Sequence, residues 1–314
     1  MKVIDKSMLP CYNFTSYMII LKQKQPFCFL EEFMLKKIRF LTNQYAIPAA
    51  FVVFVLCDLL ILGIGRLLSL LPGTLPMGYL TEAVLMLVPV GIVWFFGFSS
   101  AFKKGAFWRG IFCSLPFILL QVFALIFFFT DNLGNPEVNW EPWYMIVYGL
   151  FGVVGIGVRE ECLYRATLQN IVAKKHANSV KGIWLTVIVS AALFGLTHIT
   201  NIFFGVDPYA VFTQMLSASF IGLLLGAVYL RSGSIWALIL VHTVTDIAGL
   251  AGSTFIRYVS STDDISRMTF SYGKIFIYLF YIGLTVFLLR PSKCGQIRES
   301  LCFADEAPEE KAST

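Results

Sequence analysis

Between residues 46 and 289 the chain alternates long apolar runs with short polar breaks. A helix needs roughly 20 apolar residues to cross the hydrocarbon core of a bilayer. Eight runs approach that length: residues 46–71, 78–98, 110–129, 143–158, 182–199, 211–230, 234–250 and 275–289. The fourth is followed by "REECLYRATLQNIVA", and the helix is expected to continue through it. Trp140, Trp143 and Tyr144 stand at the start of this run as interfacial aromatics. Gly149, Gly152 and Gly155 in the fourth run, and Gly222 and Gly226 in the sixth, allow close helix contact. The pattern predicts an all-α, polytopic membrane fold with about eight transmembrane helices.

Composition supports this. The chain is 57% hydrophobic and 14% charged, with 30 Phe, whereas a soluble domain carries about 25% charged residues. Lys and Arg set the orientation. With the N-terminus inside, 20 of the 24 basic residues fall on the inner side. Only Arg66, Arg257, Arg267 and Lys274 fall outside. Both termini are therefore expected in the cytoplasm and the chain in the cell membrane. The expected organisation is a cytoplasmic tail over residues 1–45, three helices over 46–142 and a core of four helices over 143–250. An outer loop and an eighth helix follow over 251–289, then a polar tail over 290–314. "MLKKIRFLTNQ" from Met34 reads as an ordinary cytoplasmic start, and the 33 residues before it lack the apolar region of a signal peptide. The final "ADEAPEEKAST" is polar enough to be disordered.

The seven cysteines form no CxxC, which speaks against a disulfide framework and a zinc knuckle. The net charge of +5 includes no dense basic cluster, so nucleic acid is not an expected partner. The expected partners are the bilayer and a peptide or protein substrate within it.

Polar residues within the apolar runs carry the candidate chemistry, because such residues are costly in lipid. Glu161 and Arg165 are i,i+4 neighbours and can pair. Glu160 then points about 100° away with no local counter-charge. In "LFGLTHIT", Phe194 and His198 share a face, and in "ILVHTVTDIAG", His242 and Asp246 do. Each of these taken alone also fits a structural role, as a helix end, a hydrogen-bonded packing residue or a buried pair between helices. Asp58 and Glu82 lie in apolar runs too, but their spacing suggests no chemistry.

In order and on three spans, EExxxR (Glu160, Glu161, Arg165), FxxxH (Phe194, His198) and HxxxD (His242, Asp246) resemble the CPBP family, also called ABI. That family holds the type II CAAX prenyl endopeptidases and bacteriocin-immunity relatives. The resemblance covers residues 148–250 and includes "GLLLGAVYLRSGSIWALILVH". It implies a helical core with a water-accessible cavity and hydrolysis of peptide bonds of membrane-associated or lipid-associated peptides. It also implies that Glu160 activates water, His198 helps to hold it, and His242 and residue 246 face the oxyanion. Phe194, Glu161 and Arg165 would support them.

The chemistry is consistent with general principles. Amide hydrolysis needs a base for water and a donor for the developing oxyanion. In a low dielectric a carboxylate binds a proton more firmly, which suits it to take one from water. No cofactor is expected. A zinc version would use His198, His242 and Glu160, but the chain has no HExxH. Non-catalytic immunity or regulatory binding, and transport through buried ion pairs, are the alternative functions.

Two features depart from the simple pattern. The family usually has Asn where this chain has Asp246, and an ionised Asp cannot donate. Either a neutral Asp246 donates, or an ionised Asp246 orients a protonated His242 that donates; the second is preferred. On a simple count along the spans, His198 also falls deeper than Glu160 and His242, which a tilt, or a fifth helix that starts below the membrane surface, would reconcile.

Overall fold

The computed structural model describes residues 37–301 apart from 39, 69, 71–80, 83 and 104. The expected start at Met34 and the polar end of the chain lie outside the described residues. The chain divides into two units, Met1–Gln44 and Tyr45–Thr314. Residues 40–44 of the first are helical.

The second unit is built of helices. In chain order they are α1 (Ala46–Leu68), α2 (Leu87–Phe95), α3 (Phe107–Asn132) and α4 (Trp143–Glu161), followed by a π-helical stretch at Cys162–Gln169 and α5 (Asn170–His176). Then come α6 (Val180–Thr197) with a 3₁₀ extension at His198–Phe204, α7 (Pro208–Ser232) and α8 (Ile235–Gly249). Short helices α9 (Ala251–Phe255) and α10 (Ser261–Ser266) lead to α11 (Tyr272–Leu288) and α12 (Cys294–Ser300).

Local chemistry sets several of these boundaries. Ser179 caps α6 by accepting from the Gly182 N–H at 3.1 Å. Asp207 caps α7 through the amides of Tyr209 and Ala210, with Pro208 at the first helical position. Gly233 ends α7 in the left-handed conformation at φ 65°. Ser234 immediately starts α8 by accepting from Ala237 N–H.

Among the described residues, four helices are long and apolar enough to cross a membrane: α1, α3, α6 with its 3₁₀ extension, and α7. The bent pair of α11 with Pro291–Ser300 adds a fifth if it is one span. Large apolar side chains remain exposed on the outer faces, such as Phe51 and Leu59 on α1 and Phe112 and Phe123 on α3. These are the surfaces of a multi-pass helical membrane protein. Half of the apolar window is buried in α6 and in α7, against 17% in α1 and 11% in α3. α6 and α7 are thus the centre of the bundle, and α1 and α3 present most of their surface outward.

The eight apolar runs of the sequence correspond to elements of unequal length. The second run is partly outside the described residues, and its continuous helix is the nine-residue α2. α8 is an apolar helix of 15 residues. α4 closes on Arg159, Glu160 and Glu161, which lower its apolar character.

The expected continuation beyond residue 158 is present: α4, the π stretch and α5 run on to His176. This brings the two levels together by the second of the two routes, a returning helix that starts below the end of the preceding apolar run. Glu160 lies well inside a helical hairpin rather than at the end of a span, and Ser190 Oγ on the returning α6 donates to the Tyr164 carbonyl at 3.0 Å. Glu160 therefore stands level with the end of α6, where His198 follows.

α8 packs against α4 at a glycine. A Cβ on Gly157 would come within 2.9 Å of Thr243 Oγ1 and 3.3 Å of the Ile239 carbonyl. This close approach carries His242 to the last turn of α4.

Candidate active site

The π stretch after Glu161 takes more residues per turn than an α-helix, a departure often found at functional sites. Thr167 Oγ1 donates to the Cys162 carbonyl, five residues back, at 3.0 Å. All eight of its side chains are buried, including Arg165.

Burial of a guanidinium requires full compensation. Arg165 Nη1 lies 3.2 Å from Glu161 Oε1, and Nη2 donates to the Gly222 carbonyl at 3.4 Å. The face of Phe194 lies 4.6 Å from the guanidinium carbon, a cation–π contact. The expected Glu161–Arg165 pair is thus formed. Phe194 also meets His198 and His242 edge to face, at centroid distances of 5.4 and 5.6 Å. One ring thereby spaces the guanidinium and both imidazoles.

His242 is oriented by Glu161, not by Asp246. Its Nδ1 lies 2.6 Å from Glu161 Oε1, where the ring N–H donates to the carboxylate. Its Nε2 faces Glu160 Oε2 and Asp246 Oδ1, both at 3.5 Å. The orienting carboxylate sought in the i,i+4 neighbour is supplied across the α4–α8 contact. Asp246 Oδ2 is buried without a hydrogen-bond partner among the described residues. His198 Nδ1 donates to the Phe194 carbonyl at 3.0 Å, so Nε2 is the acceptor nitrogen of the neutral ring.

Glu160 does have a counter-charge. Arg159 Nη2 lies 3.6 Å from Glu160 Oε1, while Nη1 lies 3.1 Å from Glu82 Oε2. Consecutive helix positions diverge by about 100°, so helical spacing did not suggest the contact; the long arginine side chain makes it. Asp58, from α1, accepts from Thr197 Oγ1 at 2.8 Å.

Glu160, His198, His242 and Asp246 all line one cavity of about 610 Å³. Arg159, Glu82 and Asp58 line it too. These three were missed as site residues. The signal available for Asp58 and Glu82 was a lone charge in an apolar run. Among the described residues, no three or more His, Cys, Asp or Glu are grouped as metal ligands.

Residues 141–248 match the family described as Rce1-like, type II CAAX prenyl endopeptidase. Over that stretch, about a third of the chain, the sequence is similar to that family. The CPBP/CAAX resemblance read from the three motifs is therefore present where the motifs are. The matched segment runs from the approach to α4 through most of α8 and contains the four expected catalytic residues together with Phe194, Glu161 and Arg165. Glu82 and Asp58 lie outside it. No curated protein and no solved structure matches the chain.

Proposed function

We propose that the protein is an intramembrane endopeptidase that hydrolyses peptide bonds of membrane-associated peptides, with Glu160 as the base. The observation that carries this reading is the convergence of Glu160, His198 and His242 on one cavity within the Rce1-like segment.

In this scheme Glu160 takes a proton from water as the water oxygen attacks the substrate carbonyl carbon. His198 Nε2 accepts a hydrogen bond from the same water and orients it. The negative charge then develops on the carbonyl oxygen. His242 Nε2 faces two carboxylate oxygens, an environment suited to an N–H, and that N–H stabilises the oxyanion. Collapse of the tetrahedral intermediate breaks the C–N bond, and Glu160 passes its proton to the leaving amine. Glu161 and Arg165 hold His242 in place. Asp246 acts beside His242 as a second anionic neighbour, so its role is electrostatic rather than that of the Asn usual in the family.

The test compares peptides released from membranes containing the wild type or Glu160→Gln, quantified by mass spectrometry. Release dependent on the glutamate supports hydrolysis. Unchanged release with retained binding of a membrane partner would indicate immunity or regulatory binding, and substrate-dependent flux without cleavage would indicate transport.

The mechanism uses no metal. Cleavage is expected to survive phenanthroline at concentrations that strip zinc, with membrane integrity controlled. Loss of activity that stoichiometric zinc restores would replace this scheme with one in which His198, His242 and Glu160 hold the ion.

The charge distribution leads us to propose eight crossings with both termini cytoplasmic, the shorter helices α2, α4 and α8 included. Labelling of cysteines introduced near Asn132 and Asp207 is expected from the outside only. Labelling of either from the cytoplasmic side would refute this topology.

A further inference from the structure

We propose that Arg159 is a positioning residue for Glu160, anchored from the far side by Glu82. The inference rests on Glu160 being the base.

Three features carry it. The Arg159 guanidinium is engaged at both ends, Nη1 with Glu82 at 3.1 Å and Nη2 with Glu160 at 3.6 Å. The two carboxylates come from different parts of the chain, since Glu82 is 77 residues before Arg159. All three side chains line the cavity that holds His198 and His242. A guanidinium is a rigid planar fork, so fixing one arm fixes the direction of the other.

Glu82 thereby sets where the second arm lies, and the second arm holds the Glu160 carboxylate against rotation into the cavity. The opposite side of Glu160 is set by His242 Nε2 at 3.5 Å. The carboxylate is held between two cations on two helices, which leaves it one direction in which to meet a water molecule.

The same occupancy argues against a different role. A cavity arginine could dock an anionic group of a substrate, but this one already meets two carboxylates. Its loss should therefore weaken turnover, not binding. Glu82 should act only through Arg159.

The experiment uses the full chain in proteoliposomes with a library of quenched-fluorescent peptides anchored by an alkyl chain, keeping the peptide cleaved fastest. Displacement of a reacting group by about 1 Å can cost on the order of 10²-fold. Arg159→Gln is expected to lower kcat by about that factor at unchanged KM. Glu82→Gln is expected to lower kcat by roughly 10-fold, and the double variant to be no worse than Arg159→Gln alone. Arg159→Lys, which keeps the positive charge and so guards against misfolding, should fall between wild type and Arg159→Gln because an ammonium cannot reach both carboxylates as a fork does.

A rise in KM at constant kcat would make Arg159 a docking group and overturn the proposal. So would full activity of Arg159→Gln, or independent, multiplicative losses at 82 and 159. If no peptide is cleaved above the Glu160→Gln background, the hydrolytic reading fails and the positioning role with it. Cleavage that requires Glu160 but shows none of the expected kcat pattern removes the positioning role alone.

Discussion

Glu160→Gln is expected to reduce peptide cleavage by at least about 10²-fold, with normal amounts of folded protein in the membrane. Glutamine keeps the shape of the side chain and can still lie between Arg159 and His242. What it loses is the ability to take a proton from water and return it to the leaving amine. Glu161→Gln is the informative comparison. Glu161 is fully buried, its Oε1 meets both Arg165 and His242, and it has no part in proton transfer. Its substitution should act mainly through the position of His242 and the stability of the core. If Glu160→Gln cleaved a genuine substrate at a near-normal rate, the base would have to be another group.

The second large effect concerns stability. Arg165→Met is expected to destabilise the fold by roughly 3–5 kcal/mol, the cost of leaving one partner of a buried ion pair uncompensated. Methionine fills much of the same space but leaves Glu161 with His242 as its remaining cationic neighbour and vacates the face of Phe194. Glu161→Gln combined with Arg165→Met should be more stable than Arg165→Met alone, because the stranded charge is removed. Thermal unfolding in detergent with a ligand-independent readout measures both. Equal stability of wild type and Arg165→Met would show that the pair contributes little to holding the π stretch.

The sequence carried the local part of this site. Glu161 and Arg165 pair as their i,i+4 spacing requires, and most apolar runs became helices within about three residues of their expected limits. The order of the three motifs was enough to bring Glu160, His198 and His242 to one cavity. Contacts between distant parts of the chain were not legible. Asp58 meets Thr197 across 139 residues, and Arg159 meets Glu82 across 77. No periodicity encodes such a pairing. His242 was assigned to Asp246 because four residues separate them, yet the closer carboxylate is Glu161, 81 residues earlier. The offset in depth on a simple count arose for a related reason. Counting along each span assumes that spans begin at one level, and the helix bearing Glu160 continues to His176 before the chain turns back.

The π-helical stretch Cys162–Gln169 makes this chain intolerant of a change in length at one place. Because its turns take more residues than those of an α-helix, the helical faces before and after it are out of phase with an unbroken α-helix. Removing one residue would let the backbone relax toward ordinary pitch and rotate α4 relative to α5. Arg165 would then turn out of its contact with Phe194, and Glu160 would turn away from His242, although neither residue had been altered. Among related sequences, insertions and deletions should therefore collect in the connections between helices and spare these eight positions, whatever the amino acids that occupy them.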